Sequence, residues 1–345
     1  MTFELVVDAP RWRAHLAQVA QSTPGLVPVV KGNGYGLGRD VLAAEATTLD
    51  CDVIAVGTYD EVPSALADFA GDVMVLSPWR PFLPGTDVDD ARVIHTLGRV
   101  EDVAALAALR PGARIVLEGE TSMARHGLDR HQLAAAVTAL GGLSLEGFAI
   151  HLPMAGANLA EAESWAAALE TSQVETSRLF VSHLVPDELA TLRERRPQLQ
   201  IRPRVGTSLW LGDLGALDVR ATVLDVHHLS RGERVGYRQR PAPRDGYLLI
   251  IAGGTSHGIG LEAPRAAAGV LARGKTVAKG GLEAAGLSLS PFTVAGRQRW
   301  FVEPPHMQAS MVLLPASVPP PAVGDQVKAA VRFTTAAFDR VVLEG

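Results

Sequence analysis

The sequence predicts an α/β protein, a (β/α)8 barrel of TIM type followed by a mainly β C-terminal domain. Three observations carry this. Short apolar stretches recur over the first two-thirds of the chain, at residues 26–30, 53–56, 73–76, 92–95, 114–117, 146–150, 179–182 and 200–204. Alanine- and leucine-rich stretches with helical spacing lie between them, for example at 60–69, 100–109, 131–140, 160–171 and 187–195. After Leu211-Gly212-Asp213 the helical periodicity gives way to alternating, β-branched stretches. Short buried strands that alternate with helices call for crossover connections and a parallel sheet, and eight such units close into a barrel.

The barrel is expected over residues 9–213 and the β-rich domain over 214–345. In the latter, strands are expected at 221–229, 247–251, 300–302, 311–314 and 327–333. Segment 3–7 is strand-like and precedes the first barrel helix, so it is expected to pair into the second domain. Residues 267–297, rich in glycine, alanine and serine, read as a long, partly irregular excursion.

Composition narrows the function. Hydrophobic residues make up 47% of the 345, ample for a core, and the net charge is -5 with no long basic run, so nucleic acid is not an expected partner. The single cysteine, Cys51, excludes an intrachain disulfide framework and fits a reducing cytoplasm. The start, Met1-Thr2-Phe3-Glu4, has no basic segment followed by a long apolar one, so no signal peptide is expected. No apolar run is long enough to span a bilayer. A soluble, cytoplasmic protein is expected, and no clustered His/Cys pair suggests a metal.

Active sites of such barrels form where strands end and loops begin. The polar residues at those points are Lys31, His95, Glu118, His151, His183 and Arg204. Lys31 follows an apolar run and opens Lys31-Gly32-Asn33-Gly34-Tyr35-Gly36-Leu37-Gly38. Burial at a strand end lowers a lysine's pKa, and a neutral amine attacks an aldehyde to form a Schiff base. The spacing of glycines is not that of a dinucleotide loop, and no Gly-Lys-Ser/Thr follows, so a nucleotide loop is disfavoured. Glu118 and Arg125 are placed to form an ion pair across a loop. Arg204 is a strand-end cation followed by backbone N–H groups suited to an anion.

Taken together, these strings resemble the alanine racemase family, whose lysine motif is Val-Lys-Ala-x-Ala-Tyr-Gly-x-Gly. Both alanines are glycine here, Gly32 and Gly34. The resemblance implies a pyridoxal 5'-phosphate (PLP) enzyme with the cofactor on Lys31 and contacts from Tyr35, Arg125, His151, Arg204, Gly206 and Thr207. Thr121 to Gly127 matches the family's Thr-Gly-Met-x-Arg-x-Gly, whose arginine reaches the cofactor's phenolic oxygen and the substrate. The often carbamylated family lysine that orients this arginine is Glu118 here, an anion in its own right. Gly147 to His151 is similar to the family's Gly-x-x-x-His. Arg202 to Gly212 is similar to Arg-x-Gly-x-x-x-Tyr-Gly, whose arginine, matched by Arg204, keeps the pyridine nitrogen unprotonated and whose N–H groups hold the phosphate.

The second domain departs from the family. The family tyrosine that serves as second base falls at Gly254, and His257 is the expected replacement, since an imidazole titrates near ~6.5 against ~10 for a phenol. The Met-Asp pair by the substrate carboxylate matches Met307-Gln308. The phosphate-binding serine is not recognisable in Ser182-His183, and Phe338 falls near a phosphate-contacting tyrosine. The resemblance thus implies interconversion of L- and D-amino acids, alanine by default, in a homodimer with shared sites. The alternatives are a lapsed or repurposed PLP- or amino-acid-binding homologue, or a decarboxylase or D-amino-acid lyase on the same barrel.

Overall fold

The computed structural model describes residues 2–172, 174–261 and 288–345. The chain divides into two compact units: Arg13–Gly34 with Gly38–Gly212, the barrel unit, and Met1–Trp12 with Tyr35–Leu37 and Asp213–Gly345, the second unit. It opens with β1 (Phe3–Asp8) and α1 (Ala9–Ser22). Asp8 accepts the N–H of Arg11 at 3.1 Å and Pro10 sits in the first turn, where its missing N–H has no helical partner to lose.

The barrel unit runs β2 (Val27–Pro28), α2 (Arg39–Thr48), β3 (Val53–Val56), α3 (Val62–Asp68), β4 (Asp72–Val75), β5 (Val93–Leu97) and α4 (Val100–Leu109). It continues through β6 (Arg114–Gly119), α5 (Leu133–Ala139), β7 (Ser144–Ile150), α6 (Asn158–Thr171), β8 (Arg178–Val181), α7 (Pro186–Arg195), β9 (Gln200–Val205) and the single turn α8 (Thr207–Trp210). The strands form one parallel 8-stranded sheet in the order β2-β9-β8-β7-β6-β5-β4-β3. A parallel bridge between Val29 and Ala55 brings its two ends together. β2 is short because Pro28 has no N–H to donate, yet pairing resumes beyond it. Val29 N–H reaches Val205 at 2.8 Å on one side and Val30 N–H reaches Ala55 at 2.7 Å on the other.

Inside the sheet, Val27, Val29, Val53, Ala55, Met74, Ile94, Val116, Ala149 and Phe180 pack into one buried cluster. Below it, Arg202 forms a bidentate pair with Asp52, donates to Gly25 O at 3.0 Å and lies 5.8 Å over the Phe180 ring. These contacts tie the N-terminal end of the barrel, the face away from the strand ends where active sites form.

The second unit holds β10 (Leu217–Leu229), the hairpin β11 (Arg234–Val235) and β12 (Arg240–Pro241), β13 (Gly246–Ala252), β14 (Leu289–Val294), β15 (Arg297–Phe301), β16 (Ala309–Pro315), β17 (Gln326–Ala329) and β18 (Arg340–Glu344). Strands β13-β16-β15-β14-β17-β10 pair in turn, and β10 pairs again with β13, so the sheet closes into an antiparallel ring. The long β10 serves both neighbours by shifting register between Val223 and Asp225. β1 pairs antiparallel with β10 and parallel with β18.

In the second unit, β11, β12 and β18 are additional to the expected strands, and two expected stretches differ. The stretch 327–333 stops as a strand at Ala329, because Ala330 N–H turns to Pro291 O at 3.0 Å and Arg332 opens a turn. Of the excursion expected at 267–297, residues 289–294 are β14, and 267–287 lie outside the described residues.

Candidate active site

Side chains two residues apart on a strand share a face, so the residue two beyond each member of the buried cluster faces the barrel interior one layer higher. That layer takes Lys31, Gly57, Leu76, Thr96, Glu118, His151 and Ser182, at or just past their strand ends, and Arg204, two beyond Arg202 on β9, joins it. Lys31, Glu118, His151 and Arg204, singled out in the sequence, are thereby brought together at the C-terminal strand ends. His95 is not among them. It faces outward from β5, is buried, and its Nδ1 lies 2.9 Å from the Tyr59 hydroxyl.

Lys31 is exposed at the end of the β2 segment. Desolvation by the surrounding protein, then the charge of Arg125, hold its pKa below the usual lysine value; Glu61 pulls the other way, and Arg204 adds to the lowering. Glu61 is buried and was not singled out by the sequence. Its Oε1 accepts Gly32 N–H at 2.8 Å and its Oε2 accepts Gly57 N–H at 2.7 Å. The available signal was its place, an acid in the loop after the second barrel strand. Arg39 completes the turn by donating to Gly32 O at 2.7 Å.

Glu118 is 4% exposed, and among the described residues its Oε2 has no hydrogen-bond partner. Burial raises its pKa, opposed by Arg204, Arg125 and Arg80. Arg204 donates from Nη2 to Ile150 O at 2.8 Å, but its buried Nε is also without a partner. The ion pair expected between Glu118 and Arg125 is not formed among the described residues. Glu118 points into the barrel, whereas Arg125 is exposed on the loop beyond β6. That loop is pinned by Glu161, which accepts Ser122 N–H and Oγ–H, both at 2.6 Å, and by Thr121 Oγ1 donating to His151 O at 2.6 Å.

His151 Nδ1 lies 3.2 Å from Ser182 Oγ, and its ring meets the His183 ring edge-on at 5.4 Å. Burial, with Arg204 and Arg125 adding, pushes its pKa down to about 3. His151 is therefore neutral at neutral pH. Gly206 precedes α8 and Thr207 opens it, exposed at the end of β9.

A sequence model of the alanine racemase N-terminal domain matches residues 7–198, more than half of the chain. The chain belongs to the alanine racemase family. It is 29% identical over 282 residues to the alanine racemase of Acidiphilium cryptum, covering 75% of this chain and 76% of that one. The fold is similar to that of alanine racemase from Bacillus anthracis, with a TM-score of 0.71 at 18% identity over 99% of this chain and 88% of that one. It is also similar to alanine racemase from Bartonella henselae with covalently bound pyridoxal phosphate, with a TM-score of 0.68 at 19% identity over 96% and 91% of the two chains.

Alanine racemases are PLP enzymes, and the residues present in this family member suit that cofactor. Lys31 offers an amine to an aldehyde. The unpartnered Arg204 Nε is a donor awaiting an acceptor such as a ring nitrogen, and the unpartnered Glu118 Oε2 awaits a donor. Buried polar atoms left open in this way are costly unless a bound group or water completes them.

In the second unit, Tyr35 is buried with a left-handed backbone, φ 55°. Phe338 stacks on Phe3 at 5.4 Å. Met307 is exposed. His257 is buried, and both its nitrogens are engaged inside the unit: Nδ1 accepts Gly254 N–H at 3.2 Å and Nε2 lies 3.1 Å from Asp339 Oδ1. No family tyrosine has room at Gly254, where a Cβ would come within 2.1 Å of His306 O. His306 precedes the Met307-Gln308 match in the sequence, and that match gives it no role. Its Nε2 bonds the buried Glu303 at 2.6 Å, and the exposed Tyr237 ring lies 4.8 Å away. No described helix is long and apolar enough to cross a membrane.

Proposed function

We propose that the chain is a PLP-dependent amino-acid racemase with alanine as its default substrate, acting in the cytoplasm as a homodimer with shared sites. One observation carries this reading. Lys31 stands in the same inward layer as Glu118, His151 and Arg204, where one carboxylate oxygen and one guanidinium nitrogen are buried and open. When bound, PLP supplies a conjugated ring that takes up the electron pair left at the substrate Cα.

Lys31 holds the cofactor and then carries the Cα proton. A lysine with a depressed pKa is neutral more of the time near neutral pH, the form that accepts a proton. Arg204 stays charged and donates to the ring nitrogen without surrendering a proton, which favours racemisation over side reactions. His151, neutral, would stand beside the cofactor ring as an uncharged neighbour. Glu118 keeps its open Oε2 in the same layer as Arg204 and would act on Arg125 through space, in the place of the family's carbamate. Gly206 and Thr207 N–H groups would hold the phosphate, and the family resemblance assigns Tyr35 to the cofactor and Arg125 and Met307 to the substrate.

Inversion of a stereocentre through a planar carbon needs a proton delivered to the face opposite Lys31. His257 is the candidate named from the sequence, with Asp339 to orient it, and it would first have to release Gly254 N–H. That engagement of both nitrogens favours a second reading, a homologue with one working base that binds cofactor and amino acid but does not invert them. The experiment is to incubate the purified chain with PLP, reduce with borohydride, and then assay L- and D-alanine in deuterated water. Cofactor mass on the Lys31 peptide with α-deuterium and inversion supports the racemase. Deuterium without inversion supports the second reading, and no adduct at Lys31 removes both.

A further inference from the structure

We propose that Glu61 is the positioning residue for Lys31, an inference that rests on Lys31 being the reactive amine. The Lys31–Gly32 peptide ends one strand segment and Gly57 follows the neighbouring strand β3. A single buried carboxylate accepts an N–H from each, at 2.8 and 2.7 Å. Two fixed acceptors on one rigid group hold the lysine's backbone at a set height above the core.

Gly57 is part of the arrangement. A Cβ there would lie 3.2 Å from Lys31 Cβ and 3.2 Å from Glu61 Oε2, so any larger residue pushes the lysine and the carboxylate apart. Charge points the same way. Arg125 and Arg204 act against a proton on Lys31, and Glu61 acts for it. A lysine that must both give and take a proton needs such a counterweight, because cations alone would leave it neutral and unable to return the proton. No direct Lys31–Glu61 ion pair is formed among the described residues. Glu61 therefore acts through the Gly32 amide and through space, without competing for the amine.

The test is competitive labelling with acetic anhydride of the full chain, freed of cofactor, from about pH 7 to 11, with the Lys31 and Lys328 peptides followed by mass spectrometry. In Glu61→Gln, which keeps the volume and drops the charge, the Lys31 midpoint falls by about half a pH unit or more while Lys328 stays put. Glu61→Asp, which keeps the charge, recovers most of the shift. If Glu61→Gln does not fold, Gly57→Ala decides, with a smaller fall in the same direction. An unmoved or raised Lys31 midpoint in a folded variant overturns the proposal. The borohydride adduct is scored separately, so a shifted midpoint without adduct retires the cofactor reading and leaves Glu61's role standing.

Discussion

Ser182 and His151 are joined at 3.2 Å, Oγ to Nδ1, while the same Oγ accepts the N–H of Leu152 at 3.1 Å. A hydroxyl oxygen has two lone pairs, so Ser182 keeps its own hydrogen to donate after accepting Leu152 N–H. Donation to Nδ1 would place the ring hydrogen of His151 on Nε2. Removing the hydroxyl strands a buried N–H and frees the tautomer. Ser182→Ala is expected to cost about 1–3 kcal/mol in urea unfolding and to weaken PLP retention. Unchanged stability and retention would show the bond to be incidental.

Lys31→Ala is expected to abolish both the borohydride adduct and turnover. Surface variants elsewhere are expected to stay within about 0.5 kcal/mol of the parent in stability. Residual racemisation in Lys31→Ala would remove Lys31 from the reaction.

Because Glu118 carries a carboxyl group of its own and needs no carbamylation, turnover should not respond to removal or addition of bicarbonate. Glu118→Gln keeps the shape and removes the charge beside Arg204 and Arg125. It should lower kcat by about 10–100-fold, the worth of one charged hydrogen bond. Bicarbonate dependence in the parent, or an active Glu118→Gln, would refute the orienting role.

The second proton carrier separates by comparing His257→Ala with His306→Ala. If His257 transfers the proton, its variant keeps α-deuterium exchange and loses inversion, with His306→Ala unaffected. Loss of thermal stability in His257→Ala without a change in the ratio of inversion to exchange would assign its ring to the turn at Gly254 and to Asp339.

Stability should fall on the acid side in a defined window. Burial holds buried His95 at a pKa of about 4, below its ordinary value of ~6.5. Between those pH values the unfolded chain binds the proton and the folded chain does not, so stability is present above the upper value and is lost as pH falls. The loss from this group approaches about 3 kcal/mol by the lower value, with His151 adding in the same direction. His95→Gln should flatten the slope of urea midpoint against pH, and an unchanged slope would mean that His95 is protonated in the folded state.

By itself the sequence determined the barrel, the β-rich second domain and the lysine motif, and it put Lys31, Glu118, His151 and Arg204 at strand ends together with His95 and His183. These rest on local regularities, since strand–helix alternation and a period of two are written within a few neighbouring residues. Tertiary structure decided which neighbour fills which lone pair. It set Glu61 across two strand ends, paired Ser182 with His151, left Glu118 Oε2 and Arg204 Nε open, and closed both nitrogens of His257 inside the second unit. It also denied Gly254 the room for a side chain by bringing His306 O against it. These contacts join residues tens of positions apart, and their geometry depends on how strands are staggered and loops return, which no short stretch of sequence encodes.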